Sequence, residues 1–227
     1  MKSNIIPRME LLKASPYFSG LSITELEEVS RLLFERSYER DEIILAEGDE
    51  TGALYFVASG AVKVFRASAD GKEQILAIVL PEEAFNETPV FNGGINPASA
   101  QAMTPVVVYG LNSGDMEAVL RAKPQVAMNV IRIMAKKLRY LVSLVEELSF
   151  KRVISRIARI LLDYAGDGAA AGMRLTQRDM AAMAGTAREV VGRSLKELVE
   201  NGTIRMERHR IIISDRDALE DIAEQSF

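Results

Sequence analysis

The period of the apolar residues changes near residue 115, and this change constrains the fold more than any other feature of the chain. Residues 37–115 contain short apolar or alternating runs, among them EIILAEG, ALYFVASG and AVKVFRAS, with glycines between them. The segment ADGK at 69–72 is a hairpin turn signal. Many short strands with frequent turns predict an antiparallel barrel or sandwich.

From Ile131 onwards the apolar residues recur at alternating spacings of three and four, which is the period of a coiled coil. Such a helix packs either on the preceding barrel or on a second copy of itself. Further apolar residues beside the seam, such as Tyr140 and Val142, favour a helix that does both, and hence a parallel homodimer. The predicted dimer interface consists of Ile131, Met134, Leu138, Leu141, Val145 and Leu148.

A helical segment is predicted before the strands, over residues 8–36. Ser22 is a candidate N-cap, and Glu25 three residues later completes a capping box. Leu26 and Val29 then begin an apolar face with helical spacing.

Charge is unevenly distributed along the chain. Residues 151–213 carry 12 basic and 7 acidic side chains, a net charge of +5. The other residues carry 16 basic and 25 acidic side chains, a net charge of −9. A basic C-terminal part on an acidic body is typical of a nucleic-acid-binding module attached to another domain.

The chain contains no cysteine, which excludes disulfides and cysteine-ligated iron–sulfur clusters. Its first residues, MKSNIIPRMELLKASPYF, carry charges and a proline where a signal peptide needs an apolar run. No apolar run approaches the length of about 18 residues that a membrane-spanning helix needs. These features predict a cytoplasmic protein without a membrane partner.

The segment LTQRDMAAMAGTAREVVGRSLKELVENGTI, residues 175–204, predicts two helices joined by a tight turn. Thr176 is a candidate N-cap for the first helix, and Gly185 permits the turn. The second helix is expected to begin at Thr186 or Ala187. Two predicted strands follow it, TIRMER and RIIISD.

The second helix carries a cluster of charged residues on its outward face, which packing of the core alone does not require. Arg188, Glu189 and Arg193 share one stripe with Gly192 and Lys196 when the apolar side chains are buried. One interpretation is a solvated face with a Glu189–Arg193 ion pair. The other is a helix in the major groove of DNA, where arginine pairs with guanine and glutamate accepts from cytosine. The two-helix frame and the strand pair favour DNA.

These residues also carry a resemblance to a known family. SPYFSGLSITELEEV, GDETGALYFVASGAVKVFR, the long helix and segment 175–204 resemble the CRP/FNR superfamily of bacterial transcription regulators over nearly the whole chain. The most specific match is the motif Arg-Glu-x-x-x-Arg at Arg188, Glu189 and Arg193. Gly192 before the last arginine is similar to the cyclic AMP receptor branch.

The resemblance implies an α+β fold in three parts. These are an effector-sensing β-barrel or jelly roll of the cyclic-nucleotide-binding type at 1–115, a dimerisation helix at 116–148 and a winged helix-turn-helix DNA-binding domain at 149–227. It implies a homodimeric transcription activator on double-stranded DNA with an inverted repeat of half-sites similar to TGTGA, and RNA polymerase as a further partner. The residues expected at DNA are Thr176, Gln177, Arg178, Thr186, Arg188, Glu189, Arg193, Lys196 and His209.

The effector pocket departs from the pattern of the cyclic-nucleotide-binding members. Those members carry Phe-Gly-Glu, followed by an arginine that grips the cyclic phosphate, whereas this chain has FNET at 85–88 and NPAS at 96–99. Because burying a phosphate without a cation is costly, the effector is predicted not to be cyclic AMP. Glu87 is expected to remain as a structural hydrogen-bonding group. The predicted pocket residues are Phe85, Asn86, Glu87, Thr88, Asn96 and Ser99.

The small effector and any cofactor stay unidentified at this level. Haem usually needs a histidine, and the only one, His209, falls in the predicted wing, so nothing in the sequence supports haem. Two alternatives are a cyclic-nucleotide-binding regulatory protein of the same fold and a regulator that binds DNA without a ligand. No Ser/His/Asp set, metal-ligand spacing or phosphate-binding glycine loop is visible, so neither an enzyme nor a metal site is predicted.

Overall fold

A computed structural model describes residues 5–50, 52–164, 175–207 and 210–225. The chain divides into two compact units. The first unit comprises Met1–Arg66 and Leu76–Leu138, and the second comprises Ala67–Ile75 and Arg139–Phe227. The long helix described below runs through the boundary between them.

The N-terminal segment contains two α-helices, α1 (Arg8–Ala14) and α2 (Ile23–Leu32), with a short 3-10 helix between them. The predicted capping box is present, since the Ser22 hydroxyl accepts from the Glu25 N–H and the Glu25 carboxylate accepts from the Ser22 N–H. The prediction of helix as far as residue 36 is wrong, because α2 ends at Leu32 and strand β1 (Phe34–Tyr38) begins at Phe34. Its partner strand lies some seventy residues later, so local period alone could not reveal it.

The strands after β1 are β2 (Ile43–Leu45), β3 (Ala53–Ser59), β4 (Val62–Ala67), β5 (Glu73–Val79), β6 (Ala84–Phe85), β7 (Ser99–Ala102) and β8 (Val106–Asn112), and helix α3 (Glu87–Asn92) follows β6. They form a barrel of two four-stranded antiparallel sheets, ordered β1-β8-β3-β6 and β2-β7-β4-β5. The residues buried between the sheets include Tyr55 and Val57 on one side and Val62 and Ala100 on the other. Leu54 and Phe56 of β3 lie on the other face of their sheet and pack in the core with the N-terminal helices, so β3 is buried on both faces.

Gly110 allows the β1–β8 pair to close around an aromatic ring. It lies opposite Phe34 in the strand register, and a Cβ atom at Gly110 would lie 2.1 Å from Phe34 Cζ. The Phe34 ring therefore occupies the space of the missing side chain and meets Tyr55 edge-on, with ring centroids 5.9 Å apart.

The predicted helix over 116–148 is two helices, α4 (Ser113–Ala122) and α5 (Pro124–Phe150). Lys123 between them leaves the helical region, with φ −131° and ψ 81°. The cause is Pro124, whose ring disfavours helical backbone at the preceding residue but suits the first position of a new helix. Helix α5 has 27 residues and is therefore about 40 Å long.

The second unit contains the predicted helix-turn-helix and strand pair around one core. Ile157, Leu161, Met180, Val191 and Leu198 are among its buried residues. Its elements after α5 are α6 (Val153–Tyr164), α7 (Gln177–Ala184), α8 (Arg188–Glu200), β9 (Ile204–Glu207), β10 (Arg210–Ile213) and α9 (Arg216–Glu224). Within the described ranges, no helix combines the length and the apolar character required to cross a bilayer.

Candidate nucleic-acid interface

Helix α7 begins at a complete capping box. The Thr176 hydroxyl accepts from the Asp179 N–H at 3.1 Å, and the Asp179 carboxylate accepts from the Thr176 N–H at 2.8 Å. The two bonds define where the helix starts. Gln177 and Arg178 therefore occupy its first turn, where free backbone N–H groups favour anions such as phosphate.

The turn between α7 and α8 is built around Gly185. Its φ of +62° and ψ of 40° place it in the left-handed region, which glycine adopts without steric cost. The Thr186 N–H then donates to the Ala181 carbonyl at 3.0 Å. Helix α8 starts at Arg188, one residue after the later of the two predicted starts, with Ala187 as its N-cap.

Arg156 of α6 stabilises this turn through hydrogen bonds from its guanidinium group. Its Nε donates to the Ala184 carbonyl at 2.9 Å, and its Nη1 donates to the Lys151 carbonyl at 2.7 Å. Burial lowers the pKa of Arg156, while the nearby Glu147 carboxylate acts in the opposite direction. Sequence reasoning missed this residue, because the carbonyl that it holds lies 28 positions away and leaves no local pattern.

Helix α8 buries one face and exposes the other. Val191, Leu195 and Leu198 are buried in the core of the second unit, whereas Arg188, Glu189, Arg193 and Lys196 are exposed. Lys196 Nζ lies 3.6 Å from Glu200 Oε1. Among the described residues, neither arginine nor Glu189 takes part in an ion pair, and the space where Gly192 would carry a Cβ is open. The face is thus charged and exposed, with open space beside Gly192.

In the sequence, α7 precedes helix α8 and the strand pair β9–β10 follows it. Arg210 and Glu207 are register partners in the two strands, and Arg205 Nε lies 2.9 Å from Glu207 Oε1. Arg178 Nη2 lies 3.3 Å from the Glu73 carboxylate within the second unit. Thr186 is half-buried, and His209 lies outside the described residues.

Two of the predicted pocket residues hold a loop of the first unit. Asn96 is fully buried, and its side-chain amide donates to the Ala46 carbonyl at 3.0 Å. Its backbone N–H donates to the Asp49 carbonyl at 2.8 Å. The Ser99 hydroxyl accepts from the Glu47 N–H at 3.0 Å. Both residues thus fasten the loop that connects β2 to β3.

The other predicted pocket residues lie around the start of α3. Phe85 is buried and stacks on Tyr55, with ring centroids 5.4 Å apart. Asn86 is left-handed, with φ +71°, and its side chain donates to the Ala53 carbonyl at 3.1 Å. Thr88 is exposed. Glu87 is buried and accepts hydrogen bonds from the Tyr17 hydroxyl and from Lys137 Nζ.

Comparisons with known proteins match both units. Residues 35–123 match the family described as the cyclic nucleotide-binding domain, and residues 155–222 match the Crp-like helix-turn-helix domain. Over 212 residues the chain is 34% identical to the cyclic AMP receptor protein of Thermus thermophilus, covering 93% of this chain and 98% of that protein. The chain belongs to the CRP/FNR family.

Solved structures of CRP/FNR proteins have the same fold. FixK2 from Bradyrhizobium japonicum is 27% identical with a TM-score of 0.75, covering 86% of this chain and 99% of its own. The catabolite activator protein of Thermus thermophilus is 33% identical with a TM-score of 0.55, covering 92% of this chain and 98% of its own. As a CRP/FNR protein, the chain is a DNA-binding regulator of transcription and not an enzyme.

Across the described ranges, no three His, Asp or Glu side chains come together as ligands for a metal ion.

The CRP/FNR chain exposes an apolar face on α5. Leu138 is 63% exposed, Val145 is 64% exposed, and Ile131, Leu141 and Leu148 are exposed as well. Met134 differs from the rest of the predicted seam, because it is only partly exposed and packs on the barrel core. So many large apolar side chains on one helix are unusual for a surface that faces only water.

Proposed function

We propose that this chain is a homodimeric transcription regulator that binds an inverted repeat, with helix α8 of each copy in one half-site. The observation that carries the proposal is the exposed charged face of α8 on a helix whose start is fixed by Gly185 and Arg156. We assign the effector-sensing, dimerising and DNA-binding roles to residues 1–115, 116–148 and 149–227. RNA polymerase is the proposed further partner, and the cytoplasm the proposed location.

The side chains on this face divide into two proposed roles. Arg188 and Arg193 pair with guanines, and Glu189 accepts from a cytosine amino group, because these donors and acceptors match the edges of the major groove. Thr176, Gln177, Arg178, Thr186, Lys196 and His209 are proposed to contact the DNA backbone, which fixes the position of the reading helix without reading sequence.

The apolar face of α5 supports the dimer. Two parallel copies of α5 would cover Leu138, Leu141 and Val145 on each other, with the spacing of a coiled coil. A twofold axis along this seam pairs two copies of α8, as the two half-sites of an inverted repeat require. Such half-sites lie about 34 Å apart, one turn of DNA.

We infer that a small effector other than cyclic AMP acts through the barrel. The support is the chemistry of positions 96–99, where Asn96 is buried in loop contacts and no arginine is present to neutralise a phosphate. The names of relatives favour a second candidate, a cyclic AMP-responsive regulator. One such relative is the CRP-like cAMP-activated global transcriptional regulator of Mycobacterium tuberculosis, 29% identical over 217 residues.

Substitution of the reading arginines tests the DNA-binding mode. Arg188→Ala or Arg193→Ala is expected to weaken binding to the selected operator by about 1–3 kcal/mol, because each variant can no longer pair bidentately with guanine. Binding to random DNA of equal length should fall much less. The measurement is fluorescence anisotropy with both duplexes at fixed salt concentration. Arg216→Ala, at an exposed arginine paired with Glu220 on α9, is the control and should leave both affinities unchanged.

Equal reductions of affinity for operator and random DNA would contradict base reading by these arginines. The operator itself is obtained by selecting tight binders from a randomised duplex library. The proposal requires that the selected sequences are inverted repeats, whereas a single asymmetric site would contradict it.

Titration with cyclic AMP separates the two effector candidates. Isothermal calorimetry of the purified protein should detect no binding, and operator affinity should be the same with and without the nucleotide. A tenfold or greater gain in operator affinity on adding cyclic AMP would establish the second candidate instead. The cyclic AMP receptor protein of Thermus thermophilus provides a comparison protein for the same titration.

A further inference from the structure

The tip of the hairpin between β4 and β5 belongs to the second unit, as the segment Ala67–Ile75. The Ser68 N–H donates to the Lys72 carbonyl at 2.9 Å, and the Ser68 hydroxyl accepts from the Lys72 N–H at 3.2 Å. These bonds close the turn at the end of the hairpin. The two residues after the turn, Glu73 and Gln74, therefore extend from an ordered backbone.

Both of these side chains contact helix α7. Glu73 Oε1 accepts a hydrogen bond at 3.3 Å from Nη2 of Arg178, in the first turn of the helix. The Gln74 side-chain amide donates at 3.3 Å to the carbonyl of Met183, near the end of the helix. A Cβ atom at Gly185 would lie 3.4 Å from Gln74 Oε1, so the hairpin tip also lies beside the turn that precedes α8.

The contact with Arg178 involves a residue proposed above to contact the DNA backbone. A carboxylate and a phosphate oxygen are the same kind of charged acceptor for a guanidinium group. The Glu73 carboxylate therefore occupies a donor of Arg178, and its negative charge repels a phosphate that approaches the same side chain. The Arg178 side chain is 75% exposed, so it is also open to exchange one partner for the other.

We propose that Glu73 and Gln74 form a latch on α7 that competes with DNA phosphate for Arg178 and so lowers the affinity of the protein for DNA. The proposal rests on the proposed function, in which Arg178 contacts the DNA backbone. Binding to DNA then requires the Glu73–Arg178 pair to open in each copy of the chain. Because a phosphate contact carries no base information, the latch lowers the affinity for every sequence and leaves base preference unchanged.

A double-mutant cycle on the full-length protein tests the latch. Glu73→Gln should raise DNA affinity about threefold per copy, and hence about tenfold for a dimer on two half-sites, as expected for a partly exposed ion pair. The gain should be equal on operator and on random DNA. In an Arg178→Gln background, Glu73→Gln should have no effect, because no guanidinium group is left to release. Fluorescence anisotropy at fixed salt concentration measures all four proteins.

Asp70→Asn is the matched control, because it removes the same charge from the same hairpin tip. Asp70 is exposed and accepts a hydrogen bond from the Ser68 hydroxyl. Its substitution should change both affinities by less than about twofold, since salt screens exposed charges. Equal gains from Asp70→Asn and Glu73→Gln would overturn the latch in favour of a general charge effect. A gain from Glu73→Gln that persists without Arg178 would do the same.

A spin label gives a second measurement that does not depend on Glu73→Gln. Because the chain contains no cysteine, Ala69→Cys provides a single attachment site on the exposed hairpin tip. Saturation with operator DNA should increase the mobility of a nitroxide at this position, as the tip is released from α7. Arg178→Gln should increase the mobility without DNA. A label whose mobility is unchanged by both would overturn the proposal.

The cycle also separates the latch from the proposed role of Arg178. In the Glu73→Gln background, Arg178→Gln should lower DNA affinity, because the released arginine then contacts phosphate. If it does so but Glu73→Gln alone gives no gain, the latch is wrong and the phosphate contact is right. If it has no effect in that background, Arg178 does not contact DNA and both are wrong. The base-reading role of Arg188 and Arg193 is tested independently of either result.

Discussion

At the scale of single residues, Asn86 shows how this chain departs from the pattern it resembles. The resemblance places glycine between the phenylalanine and the glutamate, and here the backbone is left-handed with φ +71°. Asparagine tolerates this conformation better than most residues with a side chain. Its side chain also donates to the Ala53 carbonyl at 3.1 Å, which ties the start of α3 to β3.

Substitutions at Asn86 should therefore rank in a defined order. Asn86→Ala is expected to lower the free energy of unfolding by about 2 kcal/mol, since it removes a hydrogen bond and since alanine adopts left-handed backbone less readily than asparagine. Asn86→Gly keeps a residue that adopts left-handed backbone without strain, so it should cost about 1 kcal/mol for the lost hydrogen bond. Urea unfolding followed by circular dichroism measures both, with the exposed Thr88→Ala as control. Equal costs for alanine and glycine would show that the backbone conformation is not strained.

At the scale of elements, the sequence predicted those whose signal is local. The capping box at Ser22, the N-cap at Thr176 and the turn at Gly185 are confirmed, because each depends on residues within a few positions. Strand β1 was missed, since its sequence FERSY is mostly polar and exposed and its pairing partner β8 lies about seventy positions later. The partners of Glu87 were missed for the same reason, as Tyr17 lies 70 positions away and Lys137 lies 50 positions away.

Helix α5 carries the prediction that belongs to this scale. Leu138→Glu is expected to dissociate the dimer at micromolar concentrations, because it places a charge in the apolar seam. Ser143→Glu is the matched control, since it adds the same charge at an exposed position outside the seam. Size-exclusion chromatography with light scattering gives the mass of each variant. A dimeric Leu138→Glu protein would show that the copies meet elsewhere.

At the scale of the whole molecule, the chain has one basic part and one acidic part. Residues 151–213 carry a net charge of +5 and the remaining residues carry −9, so attraction to DNA depends on the local basic face rather than on the total charge. Binding through phosphate groups releases counterions, and affinity should fall steeply with salt concentration. The uneven distribution was visible in the sequence, whereas the exposure of individual charges required the structure.

Arg178 provides a quantitative measure of this electrostatic attraction. Arg178→Gln should reduce the slope of log affinity against log salt concentration by about 1 for each phosphate that is no longer neutralised, and hence by about 2 in a dimer. Base preference should stay the same, because the proposed interaction is with the DNA backbone. Anisotropy titrations between 50 and 300 mM salt, about the usual working range, give the slope. An unchanged slope would place Arg178 away from the phosphates, and Arg216→Gln serves as the control.

The dimer proposed to form through the exposed apolar face of α5 would also affect how steeply target genes respond. If the chains separate at cellular concentrations, operator occupancy varies with the square of the amount of protein made. A twofold rise in synthesis then gives up to a fourfold rise in the bound form. Apolar side chains on one helix would in this way set the sharpness of a genetic response before any signal molecule is present.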